Sequence, residues 1–537
     1  MVNVDSAELT HDVVIVGGGH NALVAAAYLA RAGRSVAVLE RLDHLGGAAV
    51  SEEPWVGVEA RLSRYSYLVS LLPRRIIDDL GLRIELARRR YSSYTPDPAD
   101  PDRGILVDNG DAEATAASFE RVTGDRAEAE RFAAFSERLA PVARQLFPTV
   151  TEPLRRRSEV RAELGDDELW ADLFERPLGG MIREALSTDI ARGIALTDGL
   201  IGTFATADDP SLRQNRCFLY HVIGGGTGDW DVPVGGMGRV SGELERAARE
   251  AGAELATGAE VLAITEDGTV RFRSAAGESA LRGRIVMSGV GPAVLERLLA
   301  AGGAPRASVF EAPERPEGAQ VKVNMLLTRL PKLRDADVDP RAAFAGTFHI
   351  NETLTQLDAA HATAAAGKLP DPLPSEIYCH SLTDPSILGE SLRAAGAQTL
   401  TLFGLHVPDR LVDAANNAER REELLAAAQA SLDSVLAEPI ADCIFRAPDG
   451  SPCVEARTTR DLEESLGMVG GDIFHGALSW PFAEDDEALD TPAARWGVAT
   501  ELPSLLVCGS GARRGGAVSG IGGHNAAQAA LEMLSEA

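Results

Sequence analysis

Residues 12–16, Asp-Val-Val-Ile-Val, form an unbroken β-branched run of the kind buried on both faces of a parallel sheet. Three glycines follow. Residues 23–32 are then rich in helix formers and stop at Gly33, with Arg31 in the last turn, where its charge complements the helix dipole. A second apolar run, residues 35–39, ends in Glu40. The pattern predicts strand, loop, crossover helix and strand, close to the roughly 30 residues of a βαβ unit. The weakly polar stretch from 13 to 30 approaches membrane-spanning length, but its glycines, His20 and Asn21 make strand plus helix the better reading.

Further along, Phe132, Phe135, Leu139, Val142 and Leu146 recur at spacings of three and four, one buried helical stripe that Pro141 is expected to bend or break. Residues 92–228 read as largely helical, apart from a turn-rich loop at 95–101. Residues 261–272 read as a hairpin around Asp267-Gly268, and 284–289 as a strand returning to the first sheet. Between 300 and 500, apolar runs at 320–327, 376–380 and 399–403 alternate with helical stretches and are expected to build a substrate-binding sheet, with a second turn-rich loop at 368–374. Residues 504–508 are a last buried-strand pattern, leading through a glycine-rich loop into an alanine-rich helix.

The loop Gly17-Gly18-Gly19-His20-Asn21-Ala22 has the GxGxxA form. Gly17 permits a tight turn, Gly19 lets backbone approach a pyrophosphate, and the small Ala22 allows helix and strand to pack closely, while the helix N-terminus offers free N–H groups to the anion. Glu40 stands where such a unit places its ribose-binding acid. A second glycine cluster, Gly224 to Gly228, leads to Trp230 and Pro233 instead of a helix, so a bound nicotinamide is not expected.

Charge narrows the field. The 80 acidic and 52 basic residues leave a formal net charge of −28, which repels phosphate backbones and anionic lipid, so nucleic acid is not an expected partner. Cys217, Cys379, Cys443, Cys453 and Cys508 are scattered without a CxxC pair; neither a disulfide framework nor a metal site is expected. The N-terminal residues carry acids and no secretory pattern, and no transmembrane segment is found, so a cytoplasmic location is expected.

After Glu40 and Arg41 comes the pair Gly46-Gly47, followed by Ala48, and here the chain resembles the phytoene desaturase and amine oxidase class of flavoproteins. That resemblance implies bound FAD, contacted by Gly17, Gly19, His20, Asn21, Ala22, Glu40, Arg41, Gly46, Gly47 and Ala48. Residues 230–238 look like the family's W-x-V-P-x-G-G-M-G element, which implies Gly235, Gly236 and Met237 beside the flavin ring. Val261 matches the position that meets the adenine. Gly509, Ser510, Gly522, His524 and Asn525 match the segment whose helix N-terminus faces the anionic edge of the reduced flavin. Residues 381–386 and 470–476 narrow the resemblance to the pyridine nucleotide-disulfide oxidoreductase domain 2-like, or phytoene dehydrogenase-related, branch, although no redox CxxC is present.

The fold class implied is α/β: a Rossmann-like FAD-binding domain assembled from residues 1–91, 229–300 and 500–537, a helical insert at 92–228, and an α+β substrate domain with a mixed sheet at 301–499. The activity implied is hydride transfer from a C–H bond of an apolar small molecule to flavin N5, as a dehydrogenase, oxidase or desaturase, on CH–CH groups ahead of CH–NH. Oxygen, a quinone or another carrier is the expected electron acceptor. His475 and Lys322 are the acid/base candidates. Two alternatives stay open, a redox-neutral flavin isomerase and a non-catalytic lipid or prenyl carrier resembling the Rab GDP-dissociation inhibitors; so does a homo-oligomer.

Overall fold

The computed structural model describes residues 10–307 and 315–536. Along the chain run β1 (His11–Val16), α1 (His20–Arg31), β2 (Val36–Leu39), β3 (Tyr91–Asp97), β4 (Asp100–Asp108), α2 (Ala127–Leu146), α3 (Asp189–Leu196), α4 (Arg213–Ile223) and α5 (Met237–Ala251). Then follow β5 (Glu254–Ala256), β6 (Glu260–Ile264), β7 (Thr269–Ser274), β8 (Gly277–Ser288), β9 (Gln320–Leu327), β10 (Thr347–Ile350), β11 (Ser375–Tyr378), β12 (Gln398–Leu405), β13 (Val454–Arg457), β14 (Leu505–Val507) and α6 (Ile521–Glu536).

The first sheet has the order β6-β7-β8-β1-β2-β5, with β14 also paired to β8. β1 is parallel to both β2 and the second half of β8, and α1 makes the crossover that the parallel β1-β2 pair requires. Val13, Val14 and Ile15 are completely buried, which is why this strand reads as a continuous apolar run. α1 is buried almost all round because its alanines let β-sheet, α5 and α6 approach it together. β8 is long enough to serve twice: its first half closes the β6-β7 hairpin over the Asp267-Gly268 turn, and its second half enters the parallel core.

The second sheet is mixed, in the order β13-β9-β12-β11-β10-β3-β4. Every residue of β9 is buried, and β3 joins β10 in the one parallel pairing of this sheet among the described residues. Residues 95–101 are therefore mostly strand, with the turn confined to Pro98 and Ala99. They belong to the β3-β4 hairpin, with Thr95 opposite Ile105 and Asp97 opposite Asp100. The prolines that suggested turns are tolerated because Pro96 sits at a register shift and Pro101 lies on the edge strand, where a missing N–H costs no ladder bond. The helical region accordingly begins after Asp111, and within it α2 runs unbroken through Pro141. Phe135, Leu139, Val142 and Leu146 are buried along one face of α2, as the spacing predicts.

Candidate active site

The carboxyl ends of β1 and β2, and the turns that leave β8 and β14, open onto one cavity of 870 Å³, the position at which open α/β sheets bind ligands. Gly17 turns the chain at φ +89°, and its N–H donates to Leu39 O at 2.8 Å. The Gly18 N–H donates to Glu40 Oε2 at 2.7 Å and the Leu42 N–H to Oε1 at 2.9 Å, so the Glu40 carboxylate ties the loop to the end of β2. A Cβ on Gly19 meets nothing within 4 Å, although one on Gly18 lies 2.4 Å from Leu45. No side chain caps α1, and no acid stands in its first turn. An uncapped helix N-terminus with an open glycine before it is a cradle for an anionic group.

Gly17, Gly19, His20, Asn21, Ala22, Glu40, Arg41, Gly47, Ala48, Lys322, Val261, His475, Gly509 and Ser510 all line this cavity. The other candidates stand behind its wall. Gly46 donates to Gly18 O and packs on Ser241. Gly235 donates to Asp384 and Met237 to Ser63 Oγ, so the 230–238 segment braces the start of α5. Gly236 precedes α5 in a left-handed conformation. Gly522 packs on Gly509 O, His524 lies between the rings of Tyr28 and Trp496, and Asn525 donates to Val150 O. The N-terminus of α6 is turned onto α1, and the cavity wall in that region is residues 515–518. They are held by Arg514, wholly buried, which donates to the carbonyls of Thr149, Glu152 and Trp496.

Lys322 is buried and its pKa is driven well down by desolvation; it donates to Ser63 O and Tyr65 O, with the Tyr67 ring 4.4 Å away. His475 is held at φ +63°, and burial lowers its pKa to about 4, so the imidazole is neutral at pH 7. Its turn is built by Asp472, whose Oδ1 accepts the Phe474 N–H at 2.9 Å. Burial raises Asp472 to about 7 against backbone N–H bonds that lower it. Between the usual carboxylate range and pH 7 the folded chain thus keeps a proton that the unfolded chain loses, and stability falls as pH rises through that window. Asp472→Asn is expected to remove this fall: its Tm relative to wild type climbs from about pH 5.5 to about pH 7.5, a trend absent if Asp472 is ionised throughout.

Sequence reasoning missed Asp198, Glu376, Arg89 and Tyr378, which together with Tyr67 make a polar wall that also faces the cavity. Tyr378 Oη donates to Glu376 Oε2 at 2.5 Å, and the Arg89 guanidinium lies 5.8 Å from the Tyr378 ring. These residues come from four separated segments with no motif spacing. Leu71, Phe132, Phe135, Leu139, Ile201 and Phe218 make an apolar lobe of the same cavity.

Residues 15–72 match the family model of the NAD(P)-binding Rossmann-like domain. Pyridine nucleotide-disulfide oxidoreductase domain-containing protein 2 of Rattus norvegicus is 30% identical over 568 residues, covering 98% of this chain and 94% of the rat protein. The chain belongs to the family of pyridine nucleotide-disulfide oxidoreductase domain-containing protein 2. A Mycobacterium tuberculosis (strain ATCC 25618 / H37Rv) protein is 57% identical over 534 residues, covering 98% of this chain and 97% of its own length. The fold is shared with a putrescine oxidase variant, at a TM-score of 0.57 and 17% identity over 98% of this chain and 100% of that one. Family and fold are those of a dinucleotide-dependent oxidoreductase. The family's name does not extend to redox cysteines here: all five cysteines are buried free thiols. Among the described residues no helix is long and apolar enough to cross a membrane.

Proposed function

We propose that the cavity holds FAD and that the chain is an FAD-dependent dehydrogenase, oxidase or desaturase, taking a hydride from a C–H bond of an apolar small molecule, on CH–CH groups ahead of CH–NH. One observation carries this reading: a single cavity joins the uncapped N-terminus of α1 to an apolar lobe. The dinucleotide-binding part is assigned to residues 1–91, 229–300 and 500–537, because every strand of the first sheet, with α1, α5 and α6, falls within them.

When bound, the flavin supplies the hydride acceptor. The first turn of α1 then donates N–H groups to the diphosphate, Glu40 accepts from the ribose with lone pairs left over from Gly18 and Leu42, and Val261 packs at the adenine. Phe132, Phe135 and Phe218 exclude water and give an apolar substrate its buried area. His475 and His20 are both lowered to about 4 by burial, so they serve as neutral hydrogen-bonding groups. Lys322 fixes the backbone at Ser63 and Tyr65 instead of carrying a proton to substrate. Oxygen, a quinone or another carrier is the acceptor proposed, since Gly224–Gly226 forms a tight 3-10 turn and does not lead into the helix of a nicotinamide site.

The purified protein is expected to show a flavin absorption spectrum and to bleach anaerobically with an apolar metabolite. A colourless preparation that gains no thermal stability from added FAD overturns the reading and leaves the carrier alternative.

A further inference from the structure

We propose that His349, Glu352 and Glu376 form a binding site for one divalent transition-metal ion in the wall of the cavity. The three come together through strand pairing: His349 on β10 faces Glu376 on the antiparallel β11, and Glu352 follows β10 by two residues. One ligand atom from each lies within 4.8 Å of the others, and the residues are 4%, 1% and 2% exposed.

The hydrogen bonds around the cluster are one partner short. Thr197 Oγ1 lies 2.9 Å from Glu352 Oε2 and 3.1 Å from Glu376 Oε1, and its single hydrogen serves only one of them. Tyr378 satisfies the other oxygen of Glu376. Glu352 Oε1 is buried with no hydrogen-bond partner. An orphaned carboxylate oxygen in the interior costs several kcal/mol unless a cation or a proton meets it.

Charge points the same way. Asp198, half-buried beside them, adds a third carboxylate, and the Arg89 guanidinium acts on Glu376 and Asp198. A doubly charged ion brings the cluster to neutrality. His349 is set up as a ligand: Thr95 Oγ1 holds its Nδ1 at 2.9 Å, which fixes the ring and leaves Nε2 for coordination, the second-shell arrangement usual for metal-binding imidazoles. One imidazole and two carboxylates suit Mn²⁺, Fe²⁺ or Zn²⁺ and disfavour Cu⁺. In the sequence only His349 and Glu352 lie close together, three residues apart, and Glu376 joins them only through strand pairing.

The test is metal content, which is independent of whether flavin is bound. Full-length protein is stripped with a chelator, titrated separately with Mn²⁺, Fe²⁺ (anaerobically) and Zn²⁺, dialysed and analysed for metal. About one tightly held equivalent of at least one ion per chain is expected, with affinity falling at least ~10-fold in Glu352→Gln and in His349→Ala. Circular dichroism shows whether each variant is folded, and the wild-type stoichiometry stands apart from variant behaviour. Substoichiometric binding of all three ions by wild type, or wild-type affinity in folded Glu352→Gln, overturns the proposal and leaves protons as the balancing charge.

Discussion

Gly19→Trp is expected to yield a folded protein that retains no dinucleotide, with affinity for FAD reduced beyond ~100-fold. Gly19 sits at φ −68° and ψ 169°, ordinary extended backbone, so a larger residue adopts it without strain. A side chain built there meets no protein atom within 4 Å at its Cβ and projects into the cavity beside the first turn of α1. The indole therefore competes with the diphosphate for space and leaves the core untouched. Gly17 contrasts with it: at φ +89°, with Val290 3.0 Å from a built Cβ, a substitution there damages the loop itself and does not separate folding from binding. Cys379→Ser, at a buried thiol near Ser381 and Gln398, is expected to keep its FAD. The ratio of flavin to protein absorbance reads both variants, and equal occupancy in wild type and Gly19→Trp sinks the assignment of this loop.

The β1-α1-β2 unit was legible because its information is local: a buried run, a glycine turn and a helical run each declare themselves within about ten residues. The β6-β7 hairpin was legible for the same reason. The β3-β4 hairpin was not, since its prolines carry the composition of a loop, whereas Pro98 alone lies in the turn, Pro96 sits at a register shift and Pro101 is on the edge strand. Long-range placement was hidden further. Residues 230–238 and 522–525 have the glycines of a ligand loop, but their N–H groups and side chains are taken up by Asp384, Ser63 and Val150. Asp198 and Glu376 look in sequence like any acid in an acidic chain. They become a site only where α3 ends against the β10-β11 pair.

Gly523→Ala is expected to lower both the Tm and the affinity for FAD, from a position outside the cavity. Gly523 lies in the first turn of α6 where it crosses α1. A Cβ there falls 1.9 Å from Asn21 O and 3.1 Å from Ala25 N, and real Cβ atoms essentially never approach other atoms within 3.0 Å. Those neighbours are helix backbone, so no side-chain rotation relieves the overlap and the two helices must part. Overpacking of this kind costs about 1–3 kcal/mol and occasionally more. α1 is the helix whose N-terminus faces the cavity, so its shift moves the first-turn N–H groups and strains the Gly18 bond by which Glu40 ties the loop to the end of β2. Gly242→Ala is the matched control: it is also a helical glycine, in α5, yet a Cβ there meets nothing within 4 Å. Lower backbone entropy in the unfolded chain is then expected to raise stability by about 0.4–1 kcal/mol and to leave binding alone. If the two variants shift Tm in the same direction, the close crossing of α1 and α6 is not what holds the loop in place.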